Sequence, residues 1–248
     1  MDWFPNFYRL DGSVKIVSSP SFIAGLFIFF ILSLGLIYGM DIASAVAVHA
    51  LSISPSDHVL DLCCAPGGKL CYISDLQGSD SLGTVTGVDL TPHRLHTCKR
   101  ICQKYKLSKY RLFAQDGTHF DVHAPSRVGK HCIFTPTIDA LEQSLVKPLH
   151  ESKLIRNDPQ WKHASLLYDK VIVDAECTHD GSIAHMWKHQ QVDWADFSKV
   201  LHPQRLANLE ELQRGLLENG KSLKEYSFVI GYRMYISAPH LIFTNILG

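Results

Sequence analysis

The stretch from His58 to Lys69 reads H-V-L-D-L-C-C-A-P-G-G-K and decides the fold. It is a short apolar run that ends in an acid and breaks into a turn with one proline and two glycines. An apolar strand, a glycine-rich turn and a helix in succession are typical of the ligand-binding edge of a doubly wound α/β sheet. We therefore predict a strand over His58–Leu62 and a helix whose first turns are Leu70–Leu76.

This turn does not match the common phosphate-binding motifs. A P-loop requires G-x-x-x-x-G-K followed by Ser or Thr, but Leu70 follows Lys69 and Cys63 stands where the first glycine belongs. A dinucleotide-binding G-x-G-x-x-G is also absent from the turn. A glycine turn without phosphate chemistry suits S-adenosylmethionine better than a nucleoside triphosphate. The alternative is an ordinary strand-to-helix turn.

The composition indicates a globular protein without a strong overall charge. The chain has 248 residues, of which 46% are hydrophobic, and this is enough for one large domain with or without a short appendage. Its 24 basic residues equal its 24 acidic residues, so any contact with RNA requires a local patch. Seven cysteines without a regular framework favour a reducing compartment. Because no C-x-x-C pair occurs and the histidines are scattered, we expect no metal.

An uncharged apolar stretch, Phe22–Met40, precedes the regular part of the chain. It reaches the roughly 20 residues of a membrane span. The basic residues before it would keep the N-terminus cytoplasmic and place the rest of the chain across the membrane. Two readings stay open, a transmembrane helix and an insertion in a soluble protein. We expect an N-terminal remnant at 1–21, the apolar segment at 22–40 and a catalytic domain at 41–248.

From residue 41 onward, predicted strands alternate with predicted helices. The expected helices are 41–51, 92–105 and 203–218, with Thr91 as the N-cap of the second and Asn219-Gly220 as the stop of the third. The expected strands, besides the first, are 84–89, 111–114, 166–174 and 228–236, and residues 121–165 are expected to be loop with a short helix. This alternation predicts a mostly parallel sheet covered by helices.

Four acids fall at or just past strand ends, namely Asp61, Asp89, Asp116 and Asp174. The carboxyl ends of parallel strands share one edge of the sheet, where ligands bind. Asp89 follows the glycine turn by about 20 residues, the offset at which an acid binds a ribose diol. Asp116 is suited to accept a hydrogen bond from an adenine amino group. The alternative is that each acid is only a cap or turn residue.

Cys177 follows the last of these acids within D-A-E-C-T-H-D-G (174–181). A thiol just beyond a ligand-binding edge is a candidate nucleophile or general acid–base group. Its polar neighbours favour an exposed side chain, and His179 would lower its pKa if the two lie close. The alternative is a small buried hydrophobic residue.

These motifs resemble one known family. L-D-L-C-C-A-P-G-G-K (60–69) closely resembles the signature L-D-L-C-A-A-P-G-G-K of RsmB/NSUN-type RNA (cytosine-5) methyltransferases. G-V-D-L-T-P-H-R-L (87–95) resembles the second motif of that family, and Asp116-Gly117 resembles the third. Residues 174–181 are similar to the fourth motif, usually D-A-P-C-S-G-x-G, and G-M-D-I-A-S (39–44) is similar to the segment before the first strand. The resemblance runs from about residue 35 to residue 220.

The resemblance implies a Rossmann-like S-adenosylmethionine-dependent methyltransferase fold and methyl transfer to cytosine in rRNA or tRNA. In that family a cysteine thiolate adds at carbon 6 of cytosine, so that carbon 5 attacks the sulfonium methyl group. By resemblance, Asp174 meets the base and Cys177 helps to release the product. The residues implied to surround the cofactor are Cys63, Cys64, Ala65, Pro66, Gly67, Gly68, Lys69, Asp89, Arg94, Asp116 and Asp174.

The sequence departs from the family pattern towards its end. The attacking cysteine of the family lies in a later T-C-S motif, but no cysteine follows Cys177, and Glu176 replaces the usual proline. We expect a sheet that lacks its final antiparallel strands. Two functions stay open, an RNA cytosine methyltransferase that uses Cys177 and a catalytically inactive variant that binds S-adenosylmethionine or RNA.

The surroundings of the protein are only weakly indicated by the sequence. The expected location is intracellular, in the cytoplasm or nucleus, with membrane contact only through residues 22–40. A basic cluster on and after the second predicted helix is a solvated face or an RNA contact. Its members are Lys99, Arg100, Lys104, Lys106, Lys109 and Arg111.

Overall fold

A seven-stranded sheet forms the centre of the molecule. The computed structural model describes residues 38–40, 42–125, 146–157, 164–177, 202–223, 229–235 and 238–244. The helices are α1 (Ile42–Ala50), α2 (Gly68–Gln77), α3 (Pro92–Lys104), α4 (Lys153–Asn157) and α5 (Pro203–Ser222). The strands are β1 (His58–Asp61), β2 (Thr84–Asp89), β3 (Tyr110–Ala114), β4 (Ala124–Pro125), β5 (His150–Glu151), β6 (Ala164–Leu166), β7 (Lys170–Val173), β8 (Val229–Tyr235) and β9 (Ala238–Thr244).

The sheet has the order β5-β3-β2-β1-β7-β8-β9. β1 pairs in parallel with β2 on one side and β7 on the other, and β3 and β8 extend the parallel set. β5 and β9 are antiparallel edge strands, and β4 and β6 form a separate antiparallel pair. The predicted α/β fold with a mostly parallel sheet is therefore confirmed.

Two hydrophobic clusters cover the two faces of the sheet. Successive strand residues point to opposite faces, so Val59 belongs to the cluster under α1, α2 and α3, while Leu60 belongs to the one under α5. The first cluster includes Leu70 and Leu95 from the helices, and the second includes Leu216. Strands that are buried on both faces read as continuous apolar runs, which is why the sequence made them visible.

The expected strand Leu166–Asp174 is wrong as a single element, because the structure divides it into β6 and β7. The Tyr168 N–H donates to the Leu223 carbonyl at 2.7 Å, and the Tyr168 hydroxyl donates to the Val122 carbonyl at 3.0 Å. Asp169 accepts from the His58 N–H through its carboxylate at 2.7 Å. These bonds interrupt the strand at Tyr168, whose ring is buried.

The expected helix stop at Asn219-Gly220 is also wrong, because α5 continues through both residues to Ser222. The Asn219 side-chain amide donates to the carbonyls of Gly117 and Phe120, each at 2.8 Å. Gly220 is buried, and a Cβ there would lie 3.3 Å from a methyl group of Val171. The two residues therefore serve the packing of α5 against the sheet.

The end of the sheet holds one more strand than the sequence predicted. β8 lies within the expected strand 228–236, and β9 pairs antiparallel with it from Val229↔Thr244 to Tyr235↔Ala238. The expectation that the final antiparallel strands are absent is therefore wrong for β9. The sequence carries no N-G or D-G turn signal between the two strands, so it did not predict this antiparallel pair.

Much of the expected N-terminal organisation lies outside the described residues. These include residues 1–37, which hold the N-terminal remnant and most of the apolar stretch. Within the described ranges, no helix combines the length and apolarity that crossing a membrane requires. In the expected loop region 121–165, the described residues form the short helix α4 and the unpredicted strands β4 and β5, besides the start of β6.

Replacing Gly117 with alanine should destabilise the fold. A Cβ at Gly117 would lie 2.6 Å from a methyl carbon of Leu216 and 2.9 Å from the backbone oxygen of Leu62. Since overpacking of this kind forces α5 away from β1, we expect Gly117→Ala to lower the free energy of unfolding by about 1–3 kcal/mol. Urea denaturation measures this change. Gly39→Ala is the control, because a Cβ at Gly39 meets no atom within 4 Å, and equal stability of the two variants would contradict the packing role.

Candidate functional site

The four strand-end acids lie along one edge of the sheet. β3, β2, β1 and β7 are consecutive parallel neighbours, so their carboxyl ends point the same way. Asp61 and Asp89 are the last residues of β1 and β2, and Asp174 directly follows β7. Asp116 follows β3 by two residues. The structure thus brings together residues that are up to 113 positions apart, from Asp61 to Asp174, in the sequence.

The glycine turn after β1 is held against β2 and α3. The Cys64 N–H donates to the Val88 carbonyl at 2.9 Å, and the Ala65-Pro66 bond is cis. Gly67 has φ +111°, a left-handed conformation that favours glycine, and its Cα faces the Cys98 backbone. A Cβ at Gly68 would meet no atom within 4 Å. The start of α2 therefore faces open space at the carboxyl edge of the sheet.

Arg94 connects the end of β2 to this turn. One guanidinium nitrogen lies 3.3 Å from an Asp89 carboxylate oxygen, and the other donates to the Ala65 carbonyl at 3.1 Å. The other oxygen of Asp89 accepts from the Thr91 N–H at 3.0 Å. Thr91 occupies the N-cap position of α3 as expected, but its side chain makes no capping hydrogen bond. The arginine thus fixes the carboxylate of Asp89 relative to the turn.

Lys69 and Asp174 form an ion pair across the edge of the sheet. Lys69 belongs to α2 and Asp174 follows β7, so the pair joins the turn to the fourth parallel strand. Burial by itself lowers the pKa of Lys69, but the charges of Asp174 and Asp61 outweigh this effect and leave the pKa raised. Lys69 therefore remains protonated at neutral pH.

Asp61 is the most enclosed of the four acids, with a fully buried side chain. One carboxylate oxygen accepts from the Cys63 N–H at 3.0 Å. The other is buried without a hydrogen-bond partner among the described residues. Burial raises the pKa of Asp61 to about 7, although the nearby Lys69 charge and the Cys63 hydrogen bond act in the opposite direction. A buried polar atom without a partner often marks a binding site or strain.

Asp116 differs from the other acids because it is exposed to solvent. Its carboxylate accepts from the Thr118 N–H at 2.9 Å and from the Thr118 hydroxyl at 2.8 Å. These hydrogen bonds hold the pKa of Asp116 below its usual value. The acid is therefore ionised and positioned at the outer end of the site.

The structure corrects the expectation that Cys177 is exposed. Its side chain is only 8% accessible, because α5 covers the segment that follows β7. Gln213 of α5 donates to the Glu176 carbonyl at 2.8 Å, and Arg205 pairs with the Glu176 carboxylate at 2.8 Å. Glu176, which replaces the expected proline, thus anchors the segment to α5. His179 lies outside the described residues.

The two cysteines of the glycine turn differ in their environment. Cys64 is buried, and a Cβ at Gly87 would lie 2.7 Å from its sulfur, so the thiol fills the space above β2. Cys63 is partly exposed, and burial raises its pKa, with Asp61 adding to the effect. Neither environment favours a thiolate, which identifies both side chains as packing residues.

Leu90 is the residue at this edge that the sequence did not single out. It directly follows Asp89 and is 71% exposed, although it is a large apolar side chain. An exposed leucine beside a buried carboxylate offers an apolar surface next to a hydrogen-bond acceptor. In the sequence, only its position between Asp89 and the helix start at Thr91-Pro92 could have pointed to Leu90 as a site residue. Its exposure could not be predicted, because the residue type does not determine exposure. Among the described residues, no cluster of acids, cysteines and histidines is arranged to hold a metal ion.

Part of the chain is similar to known RNA methyltransferases. Residues 48–132 match the model of the 16S rRNA methyltransferase RsmB/F family. The chain is 43% identical over 61 residues to ribosomal RNA small subunit methyltransferase B of Pseudomonas syringae, covering 25% of this chain and 13% of that protein. It is 33% identical over 78 residues to the human tRNA (cytosine(72)-C(5))-methyltransferase NSUN6, covering 32% and 16%. The matches thus span well under two thirds of the relatives' length.

The similarity extends to solved structures. NSun6 from Pyrococcus horikoshii, solved with SFG, superposes with a TM-score of 0.53 at 16% identity, over 82% of this chain and 39% of that one. The fold is the Rossmann-like α/β fold that S-adenosylmethionine-dependent methyltransferases share. The family-model match and these relatives show that part of the chain is similar to RsmB/NSUN-type RNA (cytosine-5) methyltransferases.

The buried carboxyl of Asp61 should make stability fall as pH rises from about 4 to about 7. An unfolded chain releases this proton near pH 3.9, whereas the folded protein keeps it until about pH 7. Between these values the unfolded state binds fewer protons, so the contribution of Asp61 decreases by at most about 1.4 kcal/mol per pH unit. The stabilising contribution of Asp61 is fully present below about pH 3.9 and is lost above about pH 7.

Asp61→Asn should remove this dependence and keep the hydrogen bond to the Cys63 N–H. Urea denaturation at several pH values measures the difference in unfolding free energy between wild type and variant, which should shift in favour of the variant as pH rises. Asp80→Asn, at an exposed position, is the control and should track the wild type. Parallel pH profiles for wild type and Asp61→Asn would show that Asp61 titrates normally.

Proposed function

We propose that this chain transfers a methyl group from S-adenosylmethionine to carbon 5 of cytosine in rRNA or tRNA, inside the cell in the cytoplasm or nucleus. The proposal rests on the carboxyl edge of the sheet. There, beside the glycine turn, Lys69 forms an ion pair with Asp174 and Arg94 forms one with Asp89. The match of residues 48–132 to the RsmB/F methyltransferase family supports the same reaction.

The residues at this edge fit S-adenosylmethionine chemically. The edge holds the carboxylates of Asp89, Asp116 and Asp174 against the cations of Lys69 and Arg94, and Asp61 adds a further negative charge when it ionises near pH 7, so the acids are in excess. An excess of acids suits a ligand that carries a sulfonium cation and an ammonium group. The open space at Gly68 leaves room for the ligand to approach the backbone, and the N–H groups at the start of α2 suit its carboxylate.

Each part of the cofactor has a proposed partner. Asp89 would accept hydrogen bonds from the ribose hydroxyls, because Arg94 and Thr91 fix its carboxylate at the end of β2. Leu90 would support the adenine ring, and Asp116 would accept from the adenine amino group. The unpartnered oxygen of Asp61 is a suitable acceptor for the ammonium group. The turn residues Cys63, Cys64, Ala65, Pro66, Gly67 and Gly68 would shape the remaining wall.

S-adenosylmethionine supplies an electrophilic methyl group on its sulfonium when it is bound. The chain's own contribution is to place a cytosine ring, for which Asp174 is the proposed partner, since carboxylates accept hydrogen bonds from the cytosine amino group. Lys69 holds Asp174 in place through the ion pair and remains charged. Cys177 is the proposed thiol of this edge, three residues past Asp174.

An alternative is a catalytically inactive variant that binds S-adenosylmethionine or RNA. The observation in its favour is the burial of Cys177 under α5, which hinders attack on a base. The sequence holds no cysteine after Cys177 that could form the later T-C-S motif. In this alternative the acids at the sheet edge still bind the cofactor, and only transfer is lost.

Asp89→Asn should weaken binding of S-adenosylmethionine by about tenfold to a hundredfold, since charged hydrogen bonds contribute about 1.5–3 kcal/mol. The amide keeps the size of the side chain but loses the charge that faces Arg94. Isothermal titration calorimetry measures the Kd. Asp80→Asn is the matched control, because Asp80 is an exposed aspartate of the α2–β2 connection. Equal affinity of both variants would remove Asp89 from the binding site.

Cys177→Ser distinguishes the two candidate functions. With methyl-labelled S-adenosylmethionine and rRNA or tRNA as acceptor, an active wild type transfers label, and we expect Cys177→Ser to lose at least about 100-fold in rate because a hydroxyl is a poor nucleophile. Cys102→Ser, at another buried cysteine, on the core-facing side of α3, is the control and should keep activity if it folds. A wild type that binds S-adenosylmethionine without transferring label supports the inactive alternative.

A further inference from the structure

The outward face of α3 carries a line of basic side chains. His96, Arg100 and Lys104 are exposed at intervals of four residues, and Lys99 is half-buried beside them. The opposite side of the helix is buried, through Leu95, Cys98 and Cys102. Positions three and four apart lie on the same side of a helix. We call the surface formed by His96, Lys99, Arg100 and Lys104 the α3 basic face.

The predicted basic cluster is divided by the fold. The Lys109 ammonium donates to the Ser81 side chain at 3.0 Å, and Arg111 is buried, where it donates to Thr86 and Tyr168 at 3.0 and 3.1 Å. Lys109 and Arg111 therefore stabilise the fold and do not belong to the α3 basic face. Lys106, just after α3, stays exposed and extends the α3 basic face.

The charge of this face is not compensated. The stretch 90–115 contains no Asp or Glu, and in the part of the chain that the structure describes, none of the face's lysines or its arginine forms an ion pair. The chain as a whole has zero net charge. α5 shows the contrast, since its three basic residues are matched by three glutamates. An unmatched basic surface on a neutral protein is an electrostatic footprint for a polyanion.

The α3 basic face begins at the proposed cofactor site. α3 starts directly after the Asp89 edge, and Arg94 in its first turn reaches the Ala65 carbonyl of the glycine turn. On the far side, the His96 ring packs edge-on against His150 of β5 with ring centroids 4.7 Å apart. Burial and the charge of Lys99 lower the pKa of His150, so this neighbour is neutral at pH 7. The face thus leads from the site towards the edge of the sheet.

We propose that the α3 basic face docks the phosphate backbone of the RNA whose cytosine reaches the sheet edge, an inference that rests on the proposed function. From His96 to Lys104 the helix rises about 12 Å, at 1.5 Å per residue. Each phosphate that a basic side chain neutralises adds to the electrostatic binding of nucleic acid, and the face presents Lys99, Arg100 and Lys104 within this length. The α3 basic face would contact phosphates only, so it would not distinguish one base sequence from another.

The test compares two double variants of identical chemistry. Arg100→Gln with Lys104→Gln removes two charges from the α3 basic face, and Arg214→Gln with Lys221→Gln removes the same two residue types from exposed positions of α5. Binding of a fluorescently labelled RNA hairpin that contains unpaired cytosines is measured over a range of salt concentrations. Binding of S-adenosylmethionine to each protein is measured separately by calorimetry, and thermal unfolding checks that each variant folds.

We expect the α3 variant to bind RNA about tenfold more weakly at low salt, and its slope of log Kd against log salt to decrease by about 1.4, for two phosphate contacts. The α5 variant should keep the wild-type slope. Equal losses in both variants, or a wild type that does not bind the hairpin, would overturn the inference. So would an α3 variant that loses binding to phosphatidylserine vesicles but not to RNA, because that result identifies a membrane surface. A wild type that binds RNA but does not bind S-adenosylmethionine counts against the proposed function and not against the RNA-docking inference.

Discussion

The parallel pairing of β1 with β2 and β7 is the constraint on which the rest of the structure depends. β1 is buried along its whole length between these two partners. A parallel register fixes all carboxyl ends at one edge, so the acids that end these strands must meet there. The glycine turn connects β1 to α2 at this edge. The site is a consequence of this pairing.

Bringing several carboxylates to one edge creates a problem of charge, which the fold resolves unevenly. Asp89 receives Arg94 and a backbone N–H, and Asp174 receives Lys69. Asp61 receives only one backbone N–H and stays protonated up to about pH 7 because its burial disfavours the charged form. A cationic ligand at this edge would favour the ionised form of Asp61 and would thereby couple ligand binding to stability.

The glycines show why a motif can be read correctly while its role is missed. Asp116-Gly117 resembles a motif of the proposed site, but the glycine is needed for packing, because a Cβ there would clash with Leu216 and the Leu62 backbone. Asn219-Gly220 reads as a helix stop, but both residues pack α5 against the sheet. Turn signals are local, and a partner about 100 residues away in sequence changes their meaning.

The sequence by itself determined the alternation of strands and helices, the glycine turn and the positions of the four acids, because hydrophobic periodicity and turn residues act over short distances. Tertiary structure alone decided the burial of Cys177, the break at Tyr168, the ion pair of Lys69 with Asp174 and the separation of Arg111 from the α3 basic face. Each of these depends on contacts between segments far apart in the chain, which no local pattern encodes. The physical reason is that burial and charge pairing belong to the packed arrangement of elements, whereas secondary structure belongs mostly to the residues themselves.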